Sequence, residues 1–360
     1  MTVLVTGAFG LVGAATVAHL AAEGRRVVAT DLDIPAHREA ATKLPPGVLV
    51  HHADLTDPAA VDTLISEVAP TAVIHLAAVI APHCYSRHAL AQKVNVEGTA
   101  NLIAALSQHT TNQPTPPRFV LASSVAVYGP RNPYRTDEVL TADTPVAPYD
   151  IYGTQKVLAE KLVRDSTLDW AILRLGGVLT VALQLDLNPD FLFFEGLLPT
   201  DGRIQTVDVR DAARAFANAT TADCLGETLL IGGDHTHRLT QGDIGPATSA
   251  AMGLVGGLPI GRTGDPASDT AWFATDWMDT TRAQEVLDFQ RYSWPAMLIE
   301  TAENAGWRRH VLRVAAPLVH QLLKRRAAYH DAPGRYADPW GAVTAKWGDP
   351  RPRNTGQVAP

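Results

Sequence analysis

The sequence predicts an α/β protein: a doubly wound parallel sheet, followed by a smaller substrate-binding subdomain and a C-terminal extension. Three observations predict it. Short apolar runs rich in β-branched residues alternate with helical stretches through about the first 175 residues. The first run ends in glycines at three-residue spacing. The second run ends in an acid.

Residues 2–5 read as a fully buried strand, and residues 11–22 as a helix. Between them stand Gly7, Gly10 and Gly13. Such a turn holds a pyrophosphate: the first glycine allows the tight turn, the second lets a ligand approach the backbone, and the third lets the helix pack close. Free N–H groups at the helix start then face the phosphates. Taken alone, the spacing also fits an ordinary glycine-rich turn. Residues 27–30 form the second strand, with Asp31 at its end. An acid there accepts hydrogen bonds from an adenosine ribose and repels a 2′-phosphate, so NAD is expected rather than NADP. The plainer alternative is a turn residue ahead of Asp33 and Pro35.

Residues 48–51 read as a third strand ending in Ala53-Asp54-Leu55, and Asp57-Pro58 opens a helix over 59–68. Residues 73–76 are a fourth strand, closed by Ala77 and Ala78, whose small side chains let a flat ligand lie across the sheet. Residues 89–108 read as one long helix, and 119–122 and 171–175 as the fifth and sixth strands. Ligands on such Rossmann-type sheets sit beyond the carboxyl ends of the strands.

The fifth strand runs into Ser123-Ser124-Val125-Ala126. Downstream, Tyr152 and Lys156 are i and i+4 and share one helix face. A phenol titrates near 10, and to act as a base near pH 7 it must fall about three units, about 4 kcal/mol. A neighbouring ammonium favours phenolate, and a serine hydroxyl can orient the reacting oxygen. Tyr149 lacks a lysine at i+4. Each feature alone is compatible with a helix surface or a turn.

The chain has 360 residues, 46% of them apolar, and a net charge of −7. That charge argues against a nucleic-acid partner. No run of about eighteen apolar residues could cross a bilayer, and no secretory signal precedes the first strand. Cys84 and Cys224 offer neither a disulfide framework nor metal-ligand spacing, so no metal is expected and a cytoplasmic location fits. Each cysteine reads as a small buried hydrophobe.

TGAFGLVG, Asp31, Asp54-Leu55, HLAA, Asn95 within NVEGT, SSVAVYG and YGTQK occur in this order. Together they resemble the extended branch of the short-chain dehydrogenase/reductase superfamily, the NAD-dependent epimerase/dehydratase family, over about residues 1–305. The resemblance implies that Tyr152 is the general acid/base. Lys156 would be its pKa-lowering partner and a nicotinamide-ribose ligand, and Ser124 the hydrogen-bonding hydroxyl. Gly7, Phe9, Gly10, Leu11, Val12 and Gly13 would line the pyrophosphate, Asp31 the ribose, and Asp54 and Leu55 the adenine. Leu76, Ala77, Ala78 and Asn95 would run along the cofactor, and Leu175 and Gly176 would touch the nicotinamide amide. Val125, Ala126 and Gly177 would face the substrate. A homodimer through helices near 91–108 and 150–165 is implied as well.

Departures narrow the reaction. Family dehydratases carry a carboxylate beside the catalytic hydroxyl, where this chain has Val125 and Ala126, so dehydration is not expected. Between Gly177 and Val207 the only cation is Arg203, and Phe191, Phe193 and Phe194 make the segment apolar. Those aromatics either close the small subdomain's core or shape a pocket for a small sugar-like or partly apolar compound. The leading expectation is an NAD-dependent oxidoreductase moving a hydride between NAD and a hydroxyl/carbonyl carbon. The alternatives are a sugar epimerase with a transient keto intermediate and a non-catalytic NAD sensor.

The expected organisation is an NAD-binding core over 1–175 with 204–235 returning to it, a substrate subdomain over 176–203 and 236–305, and an extension over 306–360. Asp208 stands where the family often has His, and Arg210 and Arg282 read as solvated surface. In the extension, Val311, Ala315, Leu318 and Leu322 form one helical stripe beside several arginines, with Pro317 inside. A basic amphipathic helix over 306–326 can lie on an anionic membrane surface. Docking of its stripe on the protein's own core or on a second subunit is the preferred reading. Beyond residue 327 the sequence reads as an extended arm that packs as coil or is partly mobile.

Overall fold

Strand β1 (Thr2–Thr6) leads into helix α1 (Leu11–Ala22), then β2 (Arg26–Thr30), α2 (Pro35–Ala41), β3 (Leu49–Val50), α3 (Pro58–Val68) and β4 (Ala72–His75). This order comes from a computed structural model that describes residues 1–352 apart from 111–114, 183–187, 257–260, 326 and 331. Next come α4 (His83–Ser86), α5 (His88–Gln92), a π-helical turn (Lys93–Glu97), α6 (Gly98–Thr110), β5 (Arg118–Ser124), a 3-10 turn (Val125–Tyr128), α7 (Ile151–Arg164) and β6 (Asp169–Leu175). The remaining elements are β7 (Gly177–Leu179), α8 (Pro189–Leu197), β8 (Arg203–Asp208), α9 (Val209–Ala219), β9 (Glu227–Ile231), β10 (Arg238–Thr240), α10 (Gln241–Ala251), α11 (Thr281–Leu287), α12 (Trp294–Ala305), α13 (Arg308–Lys324) and α14 (Pro339–Trp347).

Seven strands form one parallel sheet in the order β3-β2-β1-β4-β5-β6-β9. Val3 pairs with Val27 on one side and with Ala72 on the other. Strand order reverses between β1 and β4, so the crevice at their carboxyl ends is the place for a ligand. Alternate residues of each strand feed two cores. Val3 and Val5 join α1 and α9 on one face, and Leu4 joins α3, α6 and α7 on the other. A small sheet, β10-β8-β7, stands beside the carboxyl edge.

The local start signals act as predicted. Asp57 caps α3 by accepting from the Ala59 N–H at 2.9 Å, with Pro58 as the first helical residue. Other expectations shift. The third strand shrinks to two exposed residues at the sheet edge. The helix expected over 89–108 is interrupted by the π-helical turn that carries Asn95.

The extension differs most. The arm expected as coil contains α14, capped by Asp338, whose carboxylate accepts from Gly341 N–H at 2.9 Å. On α13, the face that packs inward carries buried Ala316, while Val311 and Leu318 of the expected stripe are exposed. The Leu322 side chain lies outside the described residues.

Candidate active site

The turn after β1 is jammed shut. A Cβ on Gly13 would lie 2.0 Å from the Gly7 carbonyl oxygen, and Gly7 itself sits at φ +65°. Helix α1 therefore begins hard against the strand. Its N-cap, Gly10, has no side chain to cap the first turn, and the N–H groups of Leu11, Val12 and Gly13 find no acceptor among the described residues. A Cβ on Gly10 would meet nothing closer than 3.4 Å. The helix thus presents unpaired donors to an open side, which is what a pyrophosphate needs.

At the end of β2 the Asp31 carboxylate accepts from Leu32 N–H at 2.9 Å and Phe9 N–H at 3.4 Å, and lies 3.4 Å from His37 Nδ1. The Phe9 ring stands 5.4 Å from His37 and 6.0 Å from His52. An acid on a rim of flat rings suits an adenosine ribose. The adenine expectations fare differently. Asp54 folds its carboxylate onto Thr56 N–H and Oγ1 at 2.9 and 2.8 Å, and Leu55 is spent on the core beneath α3 and α6.

Strand alternation sorts the two serines. Ser123 points to α7 and donates to Glu160 Oε1 at 2.6 Å, and Arg174 holds Glu160 through both carboxylate oxygens at 2.8 and 2.7 Å. Ser124 faces the other way, half-buried, and starts the 3-10 turn by accepting from Ala126 N–H at 3.2 Å. Helix α7 is nucleated by Asp150, whose carboxylate accepts from Gly153 N–H at 2.8 Å. A Cβ on Gly153 would stand 2.4 Å from the Ala126 carbonyl oxygen. Glycine is therefore what lets α7 press on the turn and bring the Tyr152 phenol beside Ser124.

One turn along α7, Lys156 lies with Nζ 5.7 Å from the Tyr152 ring centroid. Its ammonium donates to the Ala122 carbonyl at 2.7 Å. Burial depresses the Lys156 pKa to about 8, against the opposing charge of Glu160. Burial also pushes the Tyr152 phenol above its ordinary value, aided by Cys84 and Asp150 and opposed by the neighbouring Ser124 hydroxyl. In the protein alone, burial sets the direction of the Tyr152 shift.

Other predicted residues are brought to the same edge with different tasks. Leu76 and Ala77 donate their N–H groups to Thr6 Oγ1 at 3.2 and 3.3 Å, and Ala78 follows them half-buried. Asn95 is a brace: its amide donates to Val79 O at 3.0 Å and Gln155 Oε1 at 2.7 Å, and accepts from Val79 N–H at 2.7 Å. Both donors are engaged within the protein, and they brace the loop after β4. Leu175 and Gly176 end β6 half-buried, with Gly176 pressed on the Gln205 carbonyl. Gly177 lies against Ile204. Val125 packs with Tyr128, Leu140 and Met278 in a separate cluster. Ala126 is buried under α7 and offers its carbonyl, not its methyl.

Sequence reading missed three features. Tyr85 donates to Asp150 Oδ2 at 2.5 Å, locking α4 to the cap of the catalytic helix. His75 bridges Thr6 and Thr99 at 2.7 and 2.9 Å, and burial holds it neutral with a pKa near 3. Third, α14 reaches the site. Trp340 lies 4.9 Å from Tyr149 and stacks at 5.2 Å on Phe273, and Trp347 meets Phe193 edge-on at 5.6 Å. Lys346 pairs with Asp190 at 2.8 Å, tying α14 to α8. Pro350 O then accepts the Ile151 N–H at 2.7 Å, at the first turn of α7. Tyr152, Phe193 and Phe273 pack partly buried against this cluster, with Phe194 inside it and Phe191 exposed. Asp338-Pro339 is the same start signal as Asp57-Pro58 and marks α14 in the sequence.

Of the later cations, Arg203 stacks 4.7 Å from Trp277 and donates to Pro133 O at 3.1 Å. Arg210 is not solvated surface: it is clamped between Asp208 and Glu300 at 2.7 and 2.8 Å and lies 3.6 Å from the Tyr292 ring. Arg282 pairs with Glu227 at the surface, as expected. Cys84 and Cys224 are buried and free. No cluster of metal ligands occurs among the described residues.

Comparison with known proteins places these features in a family. The model of the NAD dependent epimerase/dehydratase family matches residues 3–179. UDP-glucose 4-epimerase 4 of Oryza sativa subsp. japonica is 32% identical over 192 residues, 48% of this chain and 48% of that protein. dTDP-glucose 4,6-dehydratase of Neisseria meningitidis serogroup B is 30% identical over 260 residues, 64% of this chain and 70% of that protein. The alignment thus spans about half the length of the first relative. The solved structure of MoeE5 in complex with UDP-glucose and NAD superposes with a TM-score of 0.66 at 26% identity, covering 87% of this chain and 100% of the other.

Proposed function

The chain belongs to the NAD-dependent epimerase/dehydratase family, and from that premise we propose that it is an NAD-dependent oxidoreductase acting on a hydroxyl or carbonyl carbon of a small sugar-like or partly apolar compound. The observation that carries the reading is the convergence of Ser124, Tyr152 and Lys156 at the carboxyl end of β5, on the sheet edge that also holds the open N-terminus of α1.

Tyr152 takes the proton of the substrate hydroxyl, and Ser124 holds the same oxygen in place. Held along this crevice, NAD would supply the hydride acceptor, and the positive charge of its ring would lower the phenol's cost of ionisation. Lys156, anchored on Ala122 O, supplies a fixed positive charge beside the tyrosine and a donor for a ribose hydroxyl. Asp31 selects a free ribose hydroxyl over a phosphate. Gly7, Phe9, Gly10, Leu11, Val12 and Gly13 hold the pyrophosphate.

The substrate side supports the second half of the proposal. Tyr149, Phe193, Phe273, Trp340 and Trp347 gather beside Tyr152, and aromatic faces suit the C–H face of a sugar ring or an apolar group. Next to Ser124 stand Val125 and Ala126, neither of which can move a proton, so elimination of water has no agent at that position. We assign the protein to the cytoplasm, as a homodimer through α6 and α7, where Leu158 is exposed. No helix among the described residues is long and apolar enough to cross a membrane.

The test is a screen of sugars, sugar acids and hydroxy compounds with NAD⁺, read as NADH absorbance. Net NADH with a carbonyl product supports the proposal. Inversion of a hydroxyl without net NADH would replace it by an epimerase, and tight NAD binding with no turnover of any compound would leave an NAD sensor.

A further inference from the structure

Helix α13 has two apolar faces. Leu312, Ala316, Val319 and Leu323 fall within about 60° of arc and turn toward the protein, where Ala316 is buried. Trp307, Val311, Val314 and Leu318 fall within another arc of about 60° on the far side and are 56–84% exposed. The first turn is held in place from below, since a Cβ on Gly253 would meet the Arg309 carbonyl oxygen at 2.1 Å. The outward stripe is therefore not a face awaiting the protein's own core.

Its charge says what covers it. Residues 304–330 carry six Lys or Arg and no Asp or Glu, in a chain whose net charge is −7. Arg308, Arg309, Arg313, Lys324 and Arg325 form no ion pair among the described residues. Arg313 and Lys324 line one flank of the outward stripe, and Arg308 the other. A second copy of this helix would set cation against cation along the seam, with no acid to offset it. An anionic bilayer surface matches both features: apolar side chains led by a tryptophan enter the headgroup region while long basic side chains reach lipid phosphates.

We propose that α13 seats the protein on anionic membrane surfaces, with Trp307, Val311, Val314 and Leu318 inserted and the flanking arginines and lysine on the headgroups. The anchor lies outside the catalytic machinery. It also sits just ahead of the segment that builds α14.

Co-sedimentation of the full chain with phosphatidylcholine vesicles, with and without phosphatidylglycerol, tests this. Binding to the anionic vesicles alone is expected, weakening as salt is raised. The triple variant Trp307→Ser, Val314→Ser, Leu318→Ser, all at exposed positions, should lower partition about tenfold or more while keeping NAD affinity, which reports an intact fold. The pair Arg308→Glu, Arg313→Glu should do the same by charge. Absence of binding to anionic vesicles overturns the proposal. So does binding that the triple variant leaves unchanged, or a dimer in light scattering that the triple variant dissolves, since the stripe would then belong to a second copy.

Discussion

The two walls of the crevice are built in different ways. The dinucleotide wall is a backbone device: Gly7, Gly10, Gly13 and Asp31 lie within twenty-five residues of one another, and their work is done by N–H groups, a close approach and one carboxylate. The proposed substrate wall is a side-chain device, assembled from Tyr149, Phe193, Phe273, Trp340 and Trp347. The first is fixed by local chain geometry. The second exists only once distant parts of the chain have packed, so it is free to diverge without disturbing the first.

Tyr152→Phe should break the division most sharply. It removes the proton acceptor and leaves both walls standing, so turnover should fall about 10³-fold while NAD affinity stays within about twofold by calorimetry. Parallel loss of NAD binding would mean that the phenol belongs to the dinucleotide wall.

Next come Gly10→Ala and Gly13→Ala. Gly13→Ala forces a Cβ into the Gly7 carbonyl and should lower stability by about 1–3 kcal/mol in urea unfolding. Gly10→Ala meets no protein atom closer than 3.4 Å, so it should leave the unfolding midpoint in place and weaken NAD binding about tenfold. Equal effects of the two would show that Gly10 serves packing and not the ligand.

Trp347→Ala removes the aromatic contact between α14 and α8 on the other wall. Substrate KM should rise about fivefold to tenfold with NAD affinity unchanged. A shift in NAD affinity instead would show that the walls are coupled.

The pH effect is the smallest. Lys156 titrates near 8 in the folded protein and near 10.4 when unfolded, so between those values the unfolded chain binds the extra proton. Stability conferred at this site therefore rises with pH across that window, by on the order of 2–3 kcal/mol, because burying the charge is costly below it. Lys156→Met should flatten the rise when urea unfolding is compared at pH 7.5 and 9.5.

Much of the fold was legible because its signals are local. Continuous apolar strands, the Asp57-Pro58 cap and the glycine spacing each act within a few residues. Ser124, Tyr152 and Lys156 were legible for the same reason: a strand end and one helix turn carry them. The division of labour between Ser123 and Ser124 was not, since it depends on Glu160 and Arg174 filling one side of the sheet. The bracing of the loop after β4 by Asn95 was not legible either, since its partners Val79 and Gln155 meet it only in the fold. Nor could the phenol's direction of titration be read from an i, i+4 lysine, because burial decides it.

The hydrogen bond from Ile151 N–H to the Pro350 carbonyl has a consequence in time. A nascent chain that has just emerged through β6 already owns its nucleotide cradle and its tyrosine, yet the start of the helix bearing that tyrosine waits for a partner synthesised almost two hundred residues later. Loss of the chain from residue 350 onward would leave the Ile151 N–H without that acceptor.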